Sequence, residues 1–71
     1  MQRRLRIESV RAGSVINEYR IRGGEVELRT LRPEFPRREW RQMNDDELQL
    51  HQNLNTAVAV WVQSENADER G

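Results

Sequence analysis

The sequence predicts an α+β domain, a three-stranded antiparallel meander followed by one C-terminal helix packed on one face (βββα). Three observations carry this. A Gly23-Gly24 pair sits at the centre of an alternating run, YRIRGGEVELR. The same alternation extends back to Leu5, and beyond a connection with two prolines the segment MNDDEL opens a helix.

Glycine adopts positive φ at little cost, so Gly23 and Gly24 suit the centre of a two-residue hairpin turn. That turn sets Tyr19 opposite Leu28 and Ile21 opposite Val26 on one face. On the other face Arg22 meets Glu25, Arg20 meets Glu27 and Glu18 meets Arg29. A slip of one residue would invert both faces, so the pairs fix the register. A phosphate-cradling loop would need more glycines, a buried strand before it and a helix after it. The glycine pair is therefore a turn.

In the preceding segment a two-residue loop at Ala12-Gly13 would put Glu8 and Arg6 on the apolar face. A three-residue loop, Arg11-Ala12-Gly13 with Gly13 left-handed, instead sets Leu5 beside Tyr19, Ile7 beside Asn17 and Arg6 beside Glu18. The strands are then expected near 3–10, 14–22 and 25–31.

Leu31 to Gln42 has no consistent period and reads as a connection, with a short extended piece allowed at Trp40 to Met43. Asn44 suits a helix N-cap, Glu47 would complete a capping box, and Met43 with Leu48 would form a hydrophobic staple. Asp45, Asp46 and Glu47 complement the helix dipole. The helix is expected from Asp45 to Val62 or Gln63. At about 100° per residue, Leu50, Leu54, Ala57, Val58, Trp61 and Val62 share one arc, with His51 on its rim. The predicted domain is 1–63, with 64–71 a polar C-terminal tail.

Seventy-one residues suffice for one small domain with a modest core. The chain has no cysteine, hence no disulfide and no thiolate metal site. Neither an apolar leader core nor a run of transmembrane length occurs in it, so a soluble, cytoplasmic protein with no membrane partner is expected. All twelve basic residues are arginine. Residues 1–41 carry a surplus of five positive charges and 42–71 an equal deficit. Such polarity suits a nucleic-acid face or self-association, although a coding bias would also explain the arginines.

The residue pattern offers no catalytic set. Ser9 and Ser14 fall at a hairpin end and Ser64 in the tail, without the spacing of a nucleophile, base and orienting group. His51 and Glu47, one turn apart, are too few to bind a metal, and no cofactor is implied. On the inner face Asn17, Thr30 and His51 could form a polar network or the wall of a pocket. Arg32, Arg37, Arg38 and Arg41, near Phe35 and Trp40, are candidate nucleic-acid contacts. Val10, Ile16 and Leu31 lie on the otherwise charged outer face; with Phe35 and Trp40 they form the candidate interaction surface. Two functions of different class follow. The first is a non-catalytic, homodimeric interaction module, accessory or regulatory, with an unidentified protein partner. The alternative is a small nucleic-acid-binding regulator using Arg32–Arg41.

Overall fold

The computed structural model describes residues 4–10 and 13–70, with 66–70 as backbone. Its elements are β1 (Arg4–Ser9), β2 (Val15–Arg22), β3 (Glu25–Leu31), β4 (Arg41–Gln42), α1 (Asp45–Leu54) and α2 (Thr56–Arg70). The fold is α+β, with an antiparallel sheet in the order β1-β2-β3-β4. The meander is as the sequence predicts, but there are four strands and two helices rather than three and one.

The β2–β3 register pairs Tyr19 with Leu28, Ile21 with Val26 and Arg22 with Glu25. Gly23 and Gly24 both take positive φ, 60° and 80°, as a two-residue hairpin turn requires. In β1–β2, Leu5 pairs with Tyr19, Arg6 with Glu18 and Ile7 with Asn17. The ladder stops at Ser9 opposite Val15, one pair short of the expected three-residue loop. Gly13 and Ser14 are both left-handed, at φ 74° and 63°. Arg11 and Ala12 lie outside the described residues.

β4 adds to the free side of β3, setting Gln42 opposite Glu27 and Arg41 opposite Leu28. The Met43 N–H continues this ladder by donating to the Val26 carbonyl at 3.0 Å. Met43 is thereby drawn into the core with Tyr19, Val26, Leu28, Val58 and Val62, while Leu5, Ile7, Ile21, Leu48 and Trp61 pack around them. Complete burial of an aliphatic or Met side chain, as at Val58, stabilises a fold by about 1.5–3 kcal/mol, and the partly buried ones contribute less.

The helical half differs most from expectation. A single straight helix would put Leu50, Leu54 and Ala57 on the sheet together with Val58. Instead Asn55 is extended (φ −143°, ψ 111°) and divides the helix. Its N–H donates to the His51 carbonyl and closes α1. Its carbonyl accepts from Val58 and Ala59, and its side-chain Oδ1 accepts from the Ala57 N–H at 2.9 Å, opening α2. Asparagine can satisfy both ends because its side chain competes with backbone for hydrogen bonds. Val58 is fully buried, whereas Leu50 and Leu54 are 54% and 78% exposed, and Ala57 is exposed. The helix also passes its expected end at Val62 or Gln63, and Glu65, assigned to the polar tail, is buried.

Candidate functional site

Four features of this frame could contact another molecule. On the inner face, the Thr30 hydroxyl donates to Asn17 Oδ1 at 2.8 Å. Tyr19 Oη lies 2.8 Å from His51 Nδ1. Burial pushes the Tyr19 hydroxyl pKa above its usual value, and the side-chain hydrogen bond with Asn17 pulls it part-way back. Thr30, Asn17, Tyr19 and His51 thus form a continuous polar chain from sheet to α1. Tyr19, the member missing from the sequence-based set, is also the most buried, at the crossing of β2 with α1 and α2. Its ring meets His51 edge-on and lies 6.2 Å from that of Trp61.

His51 and Glu47, one turn apart on α1, each meet a neighbouring side chain. Nδ1 of His51 faces Tyr19, and both Glu47 carboxylate oxygens bond the Arg41 guanidinium. Arg41 holds the Glu47 carboxyl below the ordinary glutamate pKa. The capping box is half made. Asn44 Oδ1 accepts from the Glu47 N–H at 2.8 Å, while the Glu47 side chain turns to Arg41. Among the described residues no three His, Cys, Asp or Glu side chains lie close enough to hold a metal ion.

The second feature is the outer sheet face. Arg20 bonds Glu27 at 2.5 Å and Arg29 bonds Glu18 at 2.6 Å. The ring of Trp40 lies over this lattice, with the Arg20 and Arg29 guanidinium carbons each 4.4 Å from its centre and that of Arg4 at 5.6 Å. Trp40 therefore neither covers the apolar core nor joins the Ile16 patch. It is half-buried against charges, an arrangement that cation–π attraction favours.

The connection between β3 and β4 accounts for the rest of the predicted interaction surface. Arg32 and Phe35 exchange backbone hydrogen bonds at 3.1 and 3.0 Å around Pro33-Glu34, closing a tight turn. Proline suits the second position of such a turn because its φ is already set. This turn brings Pro33 and Pro36 over Ile16 and Leu31, around an apolar hollow of about 330 Å³. Ile16 and Leu31 are thus half-buried rather than bare. Val10 and Phe35 remain exposed, and the Arg38 guanidinium lies 5.1 Å from the centre of the Phe35 ring.

On the other side of the same connection Arg29, Arg32, Arg38 and Arg41 converge with Glu39 on a hollow of about 310 Å³ beside Thr30. Three of the four arginines expected to contact nucleic acid are brought together here. Arg37 is exposed and does not line it.

The fourth feature was not anticipated from the sequence pattern. Leu50 and Leu54, one turn apart on α1, are largely exposed, and so is Val60 (60%) on α2. Beside them on α1 runs an uncharged amide pair, with Gln49 Nε2 donating to Asn53 Oδ1 at 3.0 Å. From Leu48 to Ser64 the chain has no Asp, Glu, Lys or Arg, although a third of all residues are charged. This uncharged run was visible in the sequence and marks the face. The apolar period obscured it by assigning the leucines to the core.

Comparison with known proteins finds no matching family model, no similar curated protein and no matching solved structure. No helix among the described residues is long and apolar enough to cross a membrane.

Proposed function

We propose that the chain is a non-catalytic interaction module, an accessory or regulatory protein that works as a homodimer through the uncharged face of its helices. The observation that carries this reading is the exposure of Leu50 and Leu54 within a segment free of formal charge. The buried centres of protein interfaces are poor in charged residues, and homodimer interfaces are more apolar than ordinary surface. A two-fold axis across α1, between the two leucines, sets Leu50 of one copy against Leu54 of the other and the reverse. Both halves are then satisfied by the same residues.

Four leucines, at up to about 1.5–3 kcal/mol each, work against an association cost of roughly 4–15 kcal/mol. The dimer is accordingly of modest affinity, and Val60 or the open edge of β1 adds to it where geometry allows.

Sedimentation equilibrium tests the proposal directly. The wild-type chain sediments as a dimer at high micromolar concentration. Leu54→Asp and Leu50→Asp shift it to monomer with little change in the melting temperature of the dilute protein, because the replaced side chains are already in water. Ile16→Glu is the contrasting variant, expected to leave the dimer intact. A wild-type monomer at hundreds of micromolar, or dissociation by Ile16→Glu but not by Leu54→Asp, rejects the helical interface.

A further inference from the structure

We infer that the hollow beside Thr30 binds the phosphoryl group of a small phosphorylated ligand. Its arginines differ in how far they are already committed. Arg41 is held by both oxygens of Glu47, and Arg29 donates through Nε to Glu18. Arg38 rests against the Phe35 ring, and its interaction with the π face leaves the in-plane N–H groups for an acceptor. Arg32 has no side-chain hydrogen bond or ion pair among the described residues. With Glu18 and Glu47 neutralising Arg29 and Arg41, Arg32 and Arg38 stand against Glu39 alone, and the hollow stays cationic.

Backbone geometry adds a donor. The Val26 carbonyl faces β4, where it accepts from Met43. Strand backbone groups alternate in direction, so Leu28 and Thr30 turn the same way. β4 ends at Arg41, opposite Leu28, and the ladder does not reach Thr30. The Thr30 N–H therefore points off the edge of β3 beyond the end of β4, at the hollow that Thr30 helps to line. Two guanidinium forks and one main-chain N–H match the tetrahedral oxygens of a phosphoryl group.

Size argues for a small ligand. At about 310 Å³ the hollow lies at the lower end of small-molecule sites. A nucleic-acid strand would need a cationic track beyond it with bases stacked on exposed rings. Outside the hollow the sheet's arginines alternate with glutamates, and Trp40 is already covered by arginines.

The test is a titration of the full chain with inorganic pyrophosphate, followed by backbone and arginine Nε resonances, at ionic strength held constant with chloride. Saturable shifts are expected at Thr30, Arg32 and Arg38. Arg32→Ala and Arg38→Ala each weaken binding roughly tenfold, the effect of losing one charge-assisted hydrogen bond, and Arg37→Ala leaves it unchanged. Glu39→Gln tightens binding several-fold, a gain that no loss of folding can produce. Leu54→Asp, which tests the dimer, leaves this binding unaltered, so either proposal can fail alone. Shifts that do not saturate, or an equal loss with Arg37→Ala, overturn the site. A labelled single strand binding where pyrophosphate does not, weakened by Arg6→Ala and Arg22→Ala, replaces it with a polyanion surface.

Discussion

Between Arg4 and Leu31 the chain carries ten charged side chains in 28 residues and sets four unlike pairs across strands, although Arg4 faces Arg20. From Leu48 to Ser64 it carries none. The difference decides what each region depends on. In the sheet, register is held redundantly by apolar pairs on one face, by Arg20–Glu27 and Arg29–Glu18 on the other, and by a turn with two left-handed glycines. No single pair is indispensable. In the helices a few contacts hold the packing: Val58 and Val62 reach the core, Leu48 and Trp61 flank it, and Asn55 sets how α2 follows α1. Redundancy makes the sheet tolerant, and its absence concentrates sensitivity at a few helical positions.

The largest expected effect exploits two neighbours that a straight helix would have placed on the same buried arc. Val58 is fully buried and Ala57 is exposed. Val58→Asp puts a charge without a partner into the core and should cost more than about 4 kcal/mol, which in so small a domain amounts to unfolding. Ala57→Asp should stay within about 0.5 kcal/mol of wild type, apart from a small helix-propensity loss. Circular dichroism with urea titration distinguishes them. Comparable losses at 57 and 58 would mean that the helix does not break at Asn55.

That pair also marks where the sequence was legible and where it was not. The sheet could be read because two independent signals, apolar alternation and charge complementarity, agree on one register across five consecutive β2–β3 pairs, from Glu18–Arg29 to Arg22–Glu25. Met43 and Asn44 could be read because staple and cap are local chemistry. The break at Asn55 was hidden, since a polar residue on the outer side of an amphipathic pattern is ordinary in an unbroken helix. The extended Asn55 leaves Leu50 and Leu54 exposed while Val58 is buried, a turn that the apolar period does not encode. Trp40 was hidden for a different reason: a connection without period gives no sign of which face it crosses. The arginine hollow depends on where β4 stops, which two prolines and an irregular run do not specify.

Intermediate effects compare the device that shapes each region. Gly24 has φ 80° with open space where a Cβ would sit. Gly24→Ala therefore tests backbone strain alone and should cost about 1 kcal/mol. Asn55→Ala removes the side-chain acceptor for the Ala57 N–H, also worth about 1 kcal/mol. The two should differ in kind. Gly24→Ala should leave the sheet register intact in amide-exchange protection, whereas Asn55→Ala should reduce protection at Ala57 and raise fraying at the start of α2. If Asn55→Ala leaves the protection of α2 unchanged, the cap is not what fixes the break.

The smallest effect belongs to the contact that joins the two regions, Arg41 of β4 with Glu47 of α1. The pair is bidentate, but Arg41 is more than half exposed, so solvent and salt screen it and a few tenths of a kcal/mol is the appropriate scale. Its pH dependence has a definite sign. The Glu47 pKa is lowered in the folded chain, chiefly by the hydrogen bonds from Arg41, so the folded state binds its proton less readily than the unfolded state does. Its contribution is therefore present above the unfolded glutamate pKa of about 4.3 and is lost as pH falls through the lower folded value. Glu47→Gln keeps the backbone N–H that Asn44 caps and removes only the charge. Thermal melts should then show wild type slightly more stable than Glu47→Gln near neutral pH. The gap should narrow with added salt and close once the carboxylate is protonated. A gap that persists in acid would assign the stability of this junction to packing around Met43 and Leu48 rather than to the ion pair.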